Sequence, residues 1–408
     1  MATVQRIFAG TADNPSPTTT QYYNIFGGGT LWSAAECDVA GIVSTPGTFK
    51  NLKVILGAEP GSGNSYAFTI RKNGAATNLS VTISGTDTES TTDTDEVSFA
   101  AGDLISIESV PTSSPDACLR LYWTLDFVPT TSGETIFNSS SDGANVVTER
   151  YVPLISCSPS DATEFYNTMY CPTAGTFKNF YIKINAAPGA SKTRTYTVYK
   201  NGSPTTITIT IANSETSGSD TAHSFTVAAG DRVTVYHTIA STAATAICQN
   251  YGICFVPSNA GEFFTATSSD DVTSKLTTEY CPLICSETTY DIEAEQRCLA
   301  MSATAKKMYV NLSADPGTNP DAYTFTLRNT SGDTSLAVTI VADNTSGSDT
   351  HDVTINDNDL LSLSIAPISS PATAVSFQSA ILFYIAPTGG GGVTIPVFVH
   401  HYTQQGVM

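Results

Sequence analysis

The chain has 408 residues, 13% charged and 41% hydrophobic, with Lys plus Arg at 18 against Asp plus Glu at 37 and a formal net charge of −19. The apolar share is enough for packed cores, so disorder is not the reading. The acidic balance leaves no basic footprint for a phosphate backbone or an anionic lipid surface, which excludes nucleic acid and membrane as partners.

Residues 1–20, "MATVQRIFAGTADNPSPTTT", lack the basic start and apolar centre of a secretory signal. No run reaches the roughly 18–20 apolar residues of a bilayer span. The segment is read as an N-terminal arm of a chain made in the cytoplasm.

From residue 21 to 130 the pattern is that of strands. "GTFKNLKVILGAEPG" (47–61) precedes "SYAFTIRKNGAATNLSVTIS" (65–84), in which Tyr66, Phe68 and Ile70, then Leu79, Val81 and Ile83, alternate with polar residues. Period two places one face of each strand in a core. "KNG" between them is a hairpin signal, because Asn-Gly accepts positive φ. Val97 and Phe99 lead into "AAGD" (100–103), a turn, and Ile105 and Ile107 alternate after it. "CLRLYWTLDFVP" (118–129) is a last alternating strand that ends at a Pro.

The pattern then recurs. "GTFKNFYIKINAAPG" (175–189) and "ATAKKMYVNLSADPG" (303–317) repeat the first motif. Pro60, Pro188 and Pro316 are 128 apart, as are Asp103, Asp231 and Asp359, and Gly133, Gly261 and Gly389. Tyr23 to Tyr151 and Glu36 to Glu164 keep the interval, and Tyr280 and Glu293 follow within one residue. "AAGD" returns at 228–231, and "NDND" replaces it at 356–359. A period this long is a whole domain in tandem, since solenoid units run about 20–50 residues. The fold class is therefore all-β, three tandem antiparallel β-sandwich domains of jelly-roll type: 21–130, 131–258 and 259–388.

Residues 389–408 form a Gly-rich hinge and a β-prone tail, "VTIPVFVHHYTQQGVM". Val393, Ile395, Val397 and Val399 share one face of an extended strand, with Phe398 on the other. Such an edge either packs back on its own domain or pairs with a neighbouring subunit by strand addition.

Candidate chemistry is sparse. The five His residues (His223, His237, His351, His400, His401) do not align with one another across the copies, and no Gly-x-Ser-x-Gly elbow is present. The chain is read as non-enzymatic, with no cofactor, metal site or catalytic residue. The acidic loop "TDTESTTDTDE" lacks the EF-hand spacing and reads as a solvated loop, with a weak Ca²⁺ site as the alternative. Nine Cys make an odd count. Cys157 and Cys285 lie one period apart, and Cys171 and Cys298 within one residue of it. The pairs Cys157–Cys171 and Cys285–Cys298 are candidate disulfides; buried thiols and a metal site are the alternatives.

The motif "GTFKNLKV…PGSGNSYAFTIRKNGAATNLSVTISG…VSFAAGDLISIES" resembles the jelly-roll modules of bacteriophage tail fibres, head fibres and decoration proteins, which are distantly similar to the trimerising C1q/TNF-type head. The resemblance spans residues 21–388. It implies a virion structural protein, a fibre, spike or capsid-surface component with an attachment role. Its partners would be other virion proteins or further copies of itself, in a trimer for instance, and a host surface glycan or receptor. The alternative is a cell-surface or filament-forming adhesin, extracellular and glycan-binding.

Overall fold

The computed structural model describes residues 3–28, 32–141, 149–157, 160–240, 243–244, 249–269, 271–284 and 291–387. Among these the secondary structure is β-strand, with 3-10 turns at Glu36–Asp38, Glu164–Asn167 and Glu293–Glu295 and no α-helix. The strands form five sheets, and every strand pairing is antiparallel except one short parallel contact between Thr135–Ser141 and Ser156–Cys157.

The alternation of the sequence is an alternation of burial. In Ser203–Asn213, Ile207, Ile209 and Ile211 are buried while Thr206, Thr208 and Thr210 face outward. The paired threonines meet across strands, Thr195 with Thr210 at 3.0 Å and Thr197 with Thr208 at 2.9 Å. Hydroxyl pairs of this kind stabilise a pleated surface without adding charge.

In the first sandwich one sheet runs Gln5–Thr11, Leu121–Pro129, Gly47–Leu56, Val97–Phe99. The facing sheet runs Gln21–Tyr23, Leu104–Thr112, Gly61–Lys72, Ala75–Gly85, with Gly41–Ile42 also on Leu104–Thr112. Between them lie Phe49, Val54, Tyr66, Phe68, Ile70, Ile107, Trp123 and Phe127, all buried in one apolar cluster. The second sandwich pairs Thr135–Ser141, Gln249–Pro257, Gly175–Ile184 and Ser217–Val227 against Arg150–Val152, Arg232–Ala240, Gly189–Lys200 and Ser203–Asn213. In the third, Glu262–Ser268, Phe377–Tyr384 and Ala303–Leu312 face Glu279–Cys281, Leu360–Ile368, Ala322–Asn329 and Gly332–Val341.

Two sequence motifs acquire a physical reason. In "GTFKN" the register shifts between Lys50 and its neighbours, and Asn51 takes φ 59; Asn179 does the same at φ 53. The motif encodes a β-bulge, and Asn is one of the few residues that enters the left-handed region cheaply. "KNG" and "AAGD" lock to each other. Asn73 donates to the Asp103 carboxylate at 2.7 Å, and accepts from the Leu104 amide at 2.8 Å. Asn201 treats Asp231 and Arg232 identically, at 2.7 and 2.8 Å. Lys72 and Lys200 pair with the same aspartates at 3.1 and 2.9 Å. The third copy lacks both motifs together: there the Leu360 amide donates to the Thr330 hydroxyl at 2.8 Å.

Gln5–Thr11, inside the segment read as an arm, is a full strand of the first sandwich. It pairs along its whole length with Leu121–Thr124 and beyond, to Phe127, and touches the third sandwich at Ala9–Leu299. The tyrosine register also needs correcting by one residue. Tyr22, Tyr151 and Tyr280 are the counterparts, because they stand opposite Glu108, Tyr236 and Ser364 on equivalent strands.

Candidate functional site

The sandwiches join in a cycle, and the same position makes each joint. Asn250 of the second donates to the carbonyls of Cys37 and Ala40 in the first, at 2.8 and 2.6 Å. Gln378 of the third donates to the carbonyl of Phe165 in the second, at 2.6 Å. The Tyr122 hydroxyl of the first donates to the carbonyl of Ala294 in the third. The three donors are 128 residues apart (250 − 122 and 378 − 250), and each reaches the carbonyl of the second residue of a 3-10 turn, Cys37, Phe165 or Ala294.

The first strands of the sandwiches also meet in turn. Gln5 exchanges two bonds with the Ile136 backbone, at 2.8 and 2.7 Å. The rings of Phe137 and Phe264 lie 4.7 Å apart, and those of Phe263 and Phe8 5.8 Å. Backbone approaches are close enough to demand glycine: a Cβ at Gly10 would overlap the Arg297 carbonyl oxygen, and one at Gly252 the Ile42 carbonyl oxygen. At the rim of the first and third sandwiches Lys53 donates to Asn358 at 2.6 Å, and Arg6 donates to the Ser302 hydroxyl at 3.1 Å.

The candidate disulfides are not what the structure holds. Cys171 and Cys298 are buried free thiols, as are Cys118 and Cys254. Cys171 and Cys298 pack into the apolar clusters without a disulfide, so neither the Cys157–Cys171 nor the Cys285–Cys298 pair is formed. Burial pushes the thiols of Cys118, Cys254 and Cys298 up to about 12, and Cys171 higher still. A thiol so disfavoured as thiolate is a poor nucleophile and a poor metal ligand. Iodoacetamide on the native protein should therefore leave Cys171 and Cys298 unmodified by peptide mass mapping, and modify both in denaturant. Rapid native labelling of either would contradict their burial. Cys37 is disulfide-bonded, which the spacing argument did not single out. Cys285 and the tail residues Val393, Ile395, Val397, Phe398 and Val399 lie outside the described residues.

The acidic loop does not converge on a point. Asp93 accepts from the Ser80 amide at 2.7 Å, Asp95 from Asn78 at 2.9 Å, and Glu96 pairs with Lys50 at 2.8 Å. Among the described residues no group of three or more His, Cys, Asp or Glu is placed to hold a metal ion.

Two features escaped the sequence reading. The second sandwich buries Arg194 and His237 completely. Arg194 Nη1 lies 3.4 Å from His237 Nε2, and the His237 ring stacks on Tyr196 at 4.3 Å. Arg194 can only donate, so Nε2 accepts and the ring is neutral with its proton on Nδ1. Desolvation, then the Arg194 charge, pull the His237 pKa down to about 3.

The second feature is a recurring set on the outer sheet of each sandwich. In the first, Arg71 Nε binds Glu36 at 3.1 Å, Nη1 binds Glu108 at 2.9 Å, and the guanidinium lies 5.2 Å from the Tyr22 ring centre. In the third, Arg328 binds Glu293 at 2.9 Å and lies 5.7 Å from the Tyr280 ring centre. The second sandwich has Tyr151, Tyr199 and Tyr236 instead, with ring centres 4.9–6.4 Å apart. No family model matches the chain, and no curated protein matches it.

Proposed function

We propose that the chain is a non-enzymatic structural component of a bacteriophage virion, a fibre, spike or capsid-surface protein with an attachment role. In this reading it is three tandem jelly-roll copies with a period of about 128 residues. The strand order supports the jelly roll. With eight strands of the first sandwich numbered in chain order, leaving out the two-residue Gly41–Ile42, the sheets run 1-8-3-6 and 2-7-4-5, which is the order that two nested Greek keys produce.

The observation that carries the reading is the cycle of equivalent joints. In trimerising jelly-roll heads three chains each bring one sandwich. Here one chain brings all three, so that 42.9 kDa makes a closed unit. Its surface is Thr-rich and acidic, which suits a component that stays soluble at high local concentration.

Two measurements test this. Light scattering on the isolated chain should return a single-chain mass; a stable trimer of chains would overturn single-chain closure. Antibodies against the chain should label purified phage particles by immunogold electron microscopy, with the chain present in their peptide mass spectra. Label on the envelope of the producing cell, with clean particles, would overturn the virion reading in favour of an adhesin.

A further inference from the structure

We infer that the second sandwich carries a surface site for an arginine side chain of a partner protein, built by Tyr151, Tyr199 and Tyr236 with the carboxylates of Glu149 and Glu164. The inference stands apart from the virion reading, since it concerns the isolated chain.

The argument is an internal comparison. Glu36 and Glu293 open their 3-10 turns, and each is satisfied twice: by Arg71 and the Ser106 hydroxyl (3.1 and 2.8 Å), and by Arg328 and the Ser362 hydroxyl (both 2.9 Å). Glu164 opens the equivalent turn. Opposite it, both partners have changed. Tyr199 stands where Arg71 and Arg328 stand, since all three sit across from equivalent residues of the neighbouring strand, Thr234, Ser106 and Ser362. The Thr234 hydroxyl turns away and donates to the Asn167 carbonyl at 2.7 Å. Among the described residues the Glu164 carboxylate has no ion-pair or hydrogen-bond partner.

The Glu164 acceptor is thus retained and the donor is gone, with Tyr236 standing where the first sandwich has Glu108. Two of the three sandwiches place a guanidinium between the tyrosine ring and this glutamate; the second offers the same ring and the same glutamate without a cation. Burial, then Glu164, Tyr199 and Glu149, raise the Tyr151 pKa, whereas Arg71 pulls the Tyr22 pKa down against burial. Tyr199 adds a π face, stacked at 5.0 Å on Tyr236, whose hydroxyl bonds Glu149. All three rings are part-exposed. A planar guanidinium can lie on such a face and direct its N–H groups at the carboxylates, a geometry that the ammonium of lysine cannot match. The overall charge of −19 favours approach of a basic partner.

The test is calorimetric titration of the full chain with hexa-arginine amide in 0.15 M salt, beside hexalysine amide and a neutral hexasaccharide. Saturable binding at one site is expected, with arginine preferred over lysine. Tyr199→Arg supplies the internal cation of the sister sandwiches and should weaken binding about tenfold without changing the melting temperature. Glu164→Gln should weaken it comparably, and decides the matter if Tyr199→Arg does not fold. Unchanged binding in both variants, equal affinity for the two peptides, or binding of the saccharide with the peptide inert would each overturn the inference.

Discussion

Replacing Gly252 by alanine is expected to lower the stability of the fold by about 3 kcal/mol, at the upper end of what one inserted methyl costs in a packed region. Gly252 lies in Gln249–Pro257 of the second sandwich, and an added Cβ meets the backbone oxygen of Ile42 in the first. A backbone carbonyl cannot rotate aside as a side chain can. The methyl must therefore push the two sandwiches apart, and the Asn250 bonds to Cys37 and Ala40 are adjacent to the break. Gly10→Ala should do the same at the joint of the first and third sandwiches, against Arg297. Gly133→Ala is the comparison: it has φ +91 with nothing within 4 Å, so it carries backbone strain of about 1–2 kcal/mol and no overlap. Urea unfolding followed by the emission of Trp32 and Trp123 checks the ranking. Wild-type midpoints for Gly252→Ala and Gly10→Ala would mean that the joints contribute nothing to stability.

The second large effect is a loss of stability in mild acid. The folded His237 pKa is about 3 against about 6.5 in an unfolded chain. A depressed folded pKa in a base means that the unfolded chain takes up the proton first. The stability is therefore fully present above pH 6.5 and is lost as pH falls from there toward 3. At about 1.4 kcal/mol per pH unit, the loss between pH 6.5 and 5 is about 2 kcal/mol. That interval lies above the ordinary carboxylate range, and Asp13 and Asp126, whose pKa values burial raises, act in the opposite direction, so a decline there is assigned to His237. His237→Gln retains an acceptor for Arg194 and removes the titration. Its urea midpoint should be flat between pH 6.5 and 5 where the wild type declines; parallel curves for the two proteins would refute the assignment.

Much of the candidate surface was readable in principle. Arg71, Tyr199 and Arg328 occupy one column of the repeat, and Glu36, Glu164 and Glu293 another, so the missing cation of the second copy is visible once the copies are aligned. It was missed because the residues of the set lie far apart in the chain, and only strand pairing brings them together. The buried Arg194 and His237 gave no signal, since a single His in a Thr-rich strand looks like a surface residue. The cysteines misled for a related reason: a recurring spacing in sequence does not set the distance between two sulfurs.

What the sequence determined by itself is the all-β class, through period-two alternation, and the local geometry of the turns, through Asn-Gly and Ala-Ala-Gly-Asp. Both are short-range effects, set by which face a side chain takes and which residue accepts a positive φ. The role of Gln5–Thr11 needed the tertiary structure, because that strand is buried at nearly every position and carries no alternation to read. The cycle of joints needed it even more. Tyr122, Asn250 and Gln378 share no chemistry except an N–H or O–H donor, and what each recognises is a backbone carbonyl, which every residue possesses. A bond to the backbone leaves no trace in the identity of its acceptor, so only the fold could decide that three sandwiches in one chain close upon themselves.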